Sequence, residues 1–357
     1  MSAGSLSFSK DDSLVMKGMA IIAMLFHHVY FSFPDWVEPY GGTLAWVGQL
    51  GKVCVSIFLF CSGYGLAVQY RKVSGAKGTL RFLGKRLLSF YLNYWCIFLV
   101  FVPITVFAFH RPFTAAYGEN VNVVRRVLLD LLGLQGFYSY NVTWWFNKLI
   151  LLLYLFFPVI FFCSDKSGVV TLLISLLICR YWRSVTHFTL YGDLDIFQLP
   201  FVLGVLSQKW ATSSWLGRFD NHFLRHKYKW GLLAVMFVVL AIILRMRPII
   251  PHWSGVRVDA LVTFGLYLLV IFFIRFFHAL YASLAYLGRH SVNIYLMHTF
   301  INDYWHFHWL HEGVIMRHGL NLIVLLVLCL GASMVIEWLK RRFGLYKVLN
   351  YVKQKLS

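Results

Sequence analysis

Apolar residues fall along this chain in runs of about 20, the length an α-helix needs to cross the hydrocarbon core of a bilayer. The runs predict spans near residues 14–33, 44–69, 86–109, 143–163, 168–183, 194–208, 230–248, 258–277, 290–310 and 319–340, ten in all. The expected fold is therefore all-α, a polytopic transmembrane helical bundle. A single transmembrane domain should cover residues 1–357, with 1–13 and 341–357 as cytoplasmic tails. The runs at 168–183 and 194–208 are short for a bilayer and predict tilt, local thinning or a broken helix. A weaker run from Val124 to Phe137 carries Arg125, Arg126 and Asp130 and reads as an amphipathic surface helix. The first run is too long, and too polar at its centre, for a cleaved leader, so it is expected to stay as the first span.

Polar positions between the runs set the orientation. Arg71, Lys72, Lys77, Arg81, Lys85 and Arg86 separate the second and third runs, and Lys209, Arg218, Arg225, Lys227 and Lys229 separate the sixth and seventh. Lys340, Arg341, Arg342, Lys347, Lys353 and Lys355 follow the last. Cations gather on the cytoplasmic side of short connections, so all three segments should face the cytoplasm. An even number of spans then puts both termini there, and Asp35, Glu38 and Glu119 fall opposite. Composition agrees: 59% of residues are hydrophobic and 13% charged, against about 25% charged in soluble domains. A net charge of +19 would suggest nucleic acid in a soluble chain. Here the cations border apolar runs, so the expected partner is the lipid bilayer and not nucleic acid. Cys54, Cys61, Cys96, Cys163, Cys179 and Cys329 lie within or beside apolar runs without metal-ligand spacing, and are expected as buried, reduced thiols.

The stretch from Asp12 to Tyr30 places a cation and two histidines in an apolar run. His28 lies eleven positions after Lys17, a rotation of roughly three turns plus 20°, so both share one helical face about 16 Å apart. His27 falls about 80° off that line. Ionisable residues inside a membrane are costly and usually functional. A neutral imidazole can take a proton from a hydroxyl, with a reference pKa suited to that work near neutrality. A lysine snorkelling at a helix end beside a hydrogen-bonded histidine would give the same pattern without chemistry.

Three further constellations stand out. In Phe58-Leu-Phe-Cys-Ser-Gly-Tyr64, Ser62 and Gly63 interrupt an aromatic span, which either marks a polar lining or lets another helix approach closely. Thr143-Trp-Trp-Phe-Asn147 leads into Tyr154 and Pro158, and its tryptophans could equally be interfacial belt residues. In Leu287-Gly-Arg-His-Ser-Val-Asn-Ile-Tyr-Leu-Met-His298, His298 lies deep in an apolar helix with Asn293 and Tyr295 nearby; such a histidine is often only a structural hydrogen-bonding partner. His306, His308 and His311 do not converge on one helical face, so no zinc or other metal is expected.

Taken in order, MKGMAIIAMLFHH, FLFCSGYGL, FLGKRLLSFY, WWFNKLILLLYLFFP and YLGRHSVNIYLMH resemble the integral-membrane acyltransferase family 3 over nearly the whole chain. The resemblance implies a ten-helix protein that moves an acyl group, usually acetyl from cytoplasmic acetyl-CoA, to a sugar hydroxyl. The family's basic residue eleven positions before its essential histidine falls on Lys17 and His28. Arginine is commoner in the first place, and lysine keeps the charge but not the bidentate fork. Ser62, Gly63 and Tyr64 match the Ser-Gly-Tyr step, and Arg86 matches the arginine of the basic segment. Many members have glutamate after the tryptophan motif, whereas this chain reads Asn147-Lys-Leu-Ile150, which leaves the histidine without an assigned acid partner.

The expectation is a membrane O-acetyltransferase of the bacterial inner membrane, with acyl-CoA as donor and a sugar or lipid-linked glycan as acceptor. His28 is expected as base and Lys17 beside it; Arg86, Lys85 and Arg81 toward the donor; and Ser62, Tyr64, Trp144, Trp145, Asn147 and His298 around the acceptor. Direct transfer and an acyl-enzyme through His28 both remain open, as does a homo-oligomer. A proton-coupled transporter or flippase using the histidines as a relay is the alternative from another class, and a non-catalytic scaffold of a polysaccharide complex is a third.

Overall fold

In hydrocarbon every backbone N–H and C=O must be paired within its own segment, so apolar runs of this length close as helices. The computed structural model describes residues 8–30, 48–135, 139–187, 193–211, 252–304 and 315–355, together with 231, 234, 238–242 and 245. Its elements are α1 (Lys10–Tyr30), α2 (Val53–Tyr70), α3 (Gly75–Phe107), α4 (Phe113–Tyr117), α5 (Val123–Leu131), a 3-10 turn (Val142–Trp144), α6 (Trp145–Lys166), α7 (Gly168–Thr186) and α8 (Leu194–Ala211). After these come α9 (His252–Phe272), a 3-10 turn (Ile274–Phe276), α10 (His278–Arg289), α11 (Ser291–Thr299), a π turn (Phe300–Tyr304), α12 (Ile315–Arg342) and α13 (Leu345–Lys355). Among the described residues there is no strand. Seven helices there are long and apolar enough to cross a membrane: α1, α2 with its preceding turn, α3, α6 with its preceding turn, α7, α9 and α12. Leu99, Phe162, Leu177, Val327 and Trp338 are exposed on them. Such an apolar exterior suits lipid. The chain is thus an all-α, multi-pass membrane protein.

The helices pack as two compact units. The first is Met1–His27, Tyr40–Arg71 and Phe157–Arg289. Its centre is α8, buried from Asp195 to Gln208 without a break, as expected of a helix apolar on all sides. Two pairs of glycines set its closest approaches. A β-carbon at Gly63 would overlap the Phe201 carbonyl oxygen and one at Gly204 the Phe60 carbonyl oxygen, so α2 and α8 touch backbone to backbone. Gly18 against Leu284 and Gly288 against Leu14 do the same for α1 and α10. Polar groups here are matched. Ser9 and Asp12 exchange backbone-to-side-chain hydrogen bonds at the start of α1. The Asp12 carboxylate also accepts from Arg275 Nε at 2.8 Å and from the Tyr281 hydroxyl at 2.9 Å. Asp195 pairs with Arg183, and the Ser175 hydroxyl donates to Gln198 at 2.6 Å.

The second unit is His28–Pro39, Lys72–Phe156 and His290–Ser357. In it α11 packs on α12 and α3, and α13 packs on α12 and α3. Lys340 of α12 is buried, and its three ammonium protons meet Asn93 Oδ1 at 2.7 Å, Asn293 Oδ1 at 2.7 Å and Glu337 Oε1 at 2.9 Å. A lysine has three donors and no acceptor, so this charge is fully satisfied.

Several expectations need correcting. The basic segment before the third span is not a loop. Ser74 is extended, Gly75 adopts a positive φ of 68°, and the chain is helical from there, so Lys77, Arg81, Lys85 and Arg86 are the first turns of α3. Lysine and arginine are good helix formers. The 33 residues of α3 extend about 50 Å, well beyond a core of about 30 Å. The run expected at 290–310 is α11 followed by the π turn, with residues 305–310 outside the described set. Within residues 341–357, Leu345–Lys355 forms a helix. Cys163 is exposed and Cys96 half-buried, whereas Cys54, Cys61, Cys179 and Cys329 are buried as expected; all six thiols are free. The amphipathic helix is present as α5. His306, His308, His311 and the cations at 218–229 lie outside the described residues.

Candidate functional site

The second unit brings two of the expected residues together. The rings of His28, at the end of α1, and His298, in α11, lie 4.8 Å apart between centroids at 56°. His298 is fully buried and His28 half-buried. Nδ1 of His298 lies 2.9 Å from the Tyr295 carbonyl oxygen and 3.2 Å from that of Ile294. Carbonyls only accept, so Nδ1 carries the proton and the lone pair of the neutral ring is on Nε2. His27 differs: its Nδ1 lies 3.0 Å from the Gly48 carbonyl oxygen within the first unit, a structural hydrogen bond.

The helix carrying His298 is held by the tryptophan motif. Phe300 N–H bonds the Met297 carbonyl as the π turn begins. The Leu296 carbonyl accepts instead from Trp144 Nε1 at 3.0 Å and Asn141 Nδ2 at 3.0 Å. Breaks of this kind in a helical ladder recur at functional sites. Asn141 is itself fixed, since its Oδ1 accepts from the Thr143 backbone N–H at 2.9 Å and from the Thr143 hydroxyl at 2.5 Å. Trp144 is buried against Tyr94, Phe98 and Phe300, with ring centroids at 4.9, 5.7 and 5.6 Å. It therefore positions α11 with the one polar atom it has. The Tyr295 hydroxyl donates to the Thr143 carbonyl at 2.7 Å and lies 3.5 Å from Asn147 Oδ1. Asn147 is fully buried, and among the described residues its Nδ2 has no hydrogen-bond partner. Trp145 is half-buried, edge-on to Phe146 at 6.2 Å.

The remaining expected residues fall in other settings. Tyr64 packs against Phe8 and Tyr267, at 4.9 and 6.3 Å, in an aromatic cluster of the first unit. Ser62 is half-buried on α2. Lys17 is half-buried in that unit, close enough for its charge to act on the Cys61 thiol. Arg81, Lys85 and Arg86 are half-buried along the start of α3, in the second unit. The Arg86 guanidinium lies over the Phe82 ring at 5.4 Å.

Sequence reasoning missed a buried carboxylate. Asp130 of α5 accepts from the Tyr117 hydroxyl at 2.9 Å, and the Tyr94 hydroxyl donates to its backbone carbonyl at 2.5 Å. Burial pushes the Asp130 carboxyl up to about 7, offset only partly by the hydroxyls of Tyr117 and Tyr94. The signal was present as an acid in an amphipathic stretch, but nothing in the spacing says that this acid turns inward.

Helices of membrane-spanning length define a multi-pass membrane protein, and the two histidine rings set side by side within the second unit give that unit a candidate polar site. The family model for the acyltransferase domain of acyltransferase family 3 matches residues 14–342, and the chain belongs to that family. It is a membrane acyltransferase. No curated protein and no solved structure was found to match it.

Proposed function

We propose that the protein moves an acyl group, acetyl in the first instance, from cytoplasmic acetyl-CoA to a hydroxyl of a cell-envelope sugar or lipid-linked glycan, within the bacterial inner membrane. The observation that carries this reading is the His28–His298 pair, one ring locked by backbone carbonyls and the other directly beside it. In this reaction a base takes the acceptor's hydroxyl proton as its oxygen attacks the thioester carbonyl. The carbon–sulfur bond breaks, and the proton passes on to the departing thiolate. His28 is that base in our reading, and His298 orients it or shares its proton. Asn147 Nδ2 is a buried donor suited to a substrate oxygen.

The test is transfer of labelled acetyl from acetyl-CoA to a glycan by the purified, reconstituted protein. His28→Ala and His298→Ala should each lower transfer by ~10²-fold or more, the scale of a positioned acid or base. The double variant should be little worse than either single one, because groups acting as a unit do not add. His27→Ala should cost far less. Near-normal transfer without His28, or losses that multiply in the double variant, would remove the pair from the mechanism.

A further inference from the structure

The C-terminal segment read from sequence only as a topology signal. In the structure α13 is a helix with three lysines, Lys347, Lys353 and Lys355, and no acid, and it packs against α3 in the second unit. Lys353 is half-buried. Burial lowers its ammonium below the usual lysine range, and the positive charges of Arg86 and Lys85 lower it further. On α3, the Arg86 guanidinium lies over the Phe82 ring, with Tyr154 near enough to act on it electrostatically. Its Nη2 is buried and has no hydrogen-bond partner among the described residues.

A topology signal requires cations in a connection and no particular arrangement of them. Drawing three cations together and partly out of water is costly, and a guanidinium donor left buried adds to that cost. A phosphate would offset both, since its oxygens accept charge-assisted hydrogen bonds from arginine and lysine. From this juxtaposition we propose that Lys353 of α13 joins Lys85 and Arg86 of α3 in a phosphate-binding site, and that the phosphate is one carried by the acyl-CoA donor. The inference rests on the donor side of the proposed function. It adds that the C-terminal helix is a wall of the donor site. The phosphate headgroup of an anionic lipid has the same chemistry, and the experiment separates the two.

The full-length protein is placed in nanodiscs of zwitterionic lipid, and CoA without an acyl group is titrated by calorimetry. Lys353→Gln should weaken CoA binding by roughly 10-fold or more, the lower end for a charge-assisted contact. Lys353→Arg should restore it. Lys355→Gln, exposed on the same helix, should behave as the parent. A parent that binds CoA alongside a Lys353→Gln variant that binds it equally well overturns the inference and leaves acyl transfer standing. If the parent binds no CoA, the donor reading fails, and retention of phosphatidylglycerol, read by native mass spectrometry, decides the site. Retention lost in both Lys353→Gln and Arg86→Gln keeps a phosphate site that serves lipid; equal retention in all variants removes it.

Discussion

At the scale of single residues, the most informative group is one whose environment holds it far from its ordinary state. Asp130 is buried with its carboxyl pushed up to about 7, whereas in the unfolded chain it titrates near 3.8. Below pH 3.8 both states hold the proton. Between there and about 7 the unfolded chain loses its proton while the folded one keeps it, so this group makes folding less favourable as pH rises, by ~1.4 kcal/mol per pH unit at most. Asp130→Asn keeps an acceptor for the Tyr117 hydroxyl and removes the titration. The variant should gain thermal stability over the parent from pH 5 to 8, with the gap widening up to about pH 7 and levelling off above it; parallel melting curves at every pH would show that Asp130 does not titrate in that range. The histidines illustrate how far sequence reaches at this scale. Helical phase alone separated His28 from His27, and the structure gives His27 a backbone carbonyl and His28 a second imidazole. The meeting of His28 with His298 was not readable, because it depends on how two distant helices pack.

Among elements, the decisive features are close approaches that only glycine permits. Gly63 and Gly204 let α2 and α8 touch along their backbones, whereas Gly65, two residues on, has nothing within 4 Å of where its β-carbon would be. Gly63→Ala must push the helices apart or strain them, a change that typically costs about 1–3 kcal/mol. Gly65→Ala adds a methyl group in open space and should be neutral or slightly stabilising, since alanine is the better helix former by about 1 kcal/mol. Thermal unfolding of the two variants checks this, and equal melting points would mean that the α2–α8 contact is not limiting. The sequence left the Ser62-Gly63 step open between a polar lining and a small-residue contact, and Gly63 serves as the latter. It did not reveal Gly204 as the partner, nor that Lys77 to Arg86 would be helical. Positive charge predicts which side of the membrane a segment faces, and helix propensity in a basic stretch is masked by its polarity.

For the whole molecule, the proposed donor site makes a demand on orientation, since cytoplasmic acyl-CoA could reach Lys85, Arg86 and Lys353 only if they face that side. Lys72 and Glu119 are both exposed and flank α3. A helix of 33 residues spans about 50 Å, enough to carry the two positions to opposite faces of a core about 30 Å thick. Cations favour the cytoplasmic side, which puts Lys72 with the basic turns of α3 inside and Glu119 outside. In a background where the exposed Cys163 is replaced by Ser, a cysteine at position 72 should be protected from an impermeant thiol reagent in intact cells and react once they are opened. A cysteine at position 119 should react in both conditions. Protection at 119 with reaction at 72 would invert the protein, set the basic cluster on the face away from cytoplasmic acyl-CoA, and require the donor to be bound by other residues.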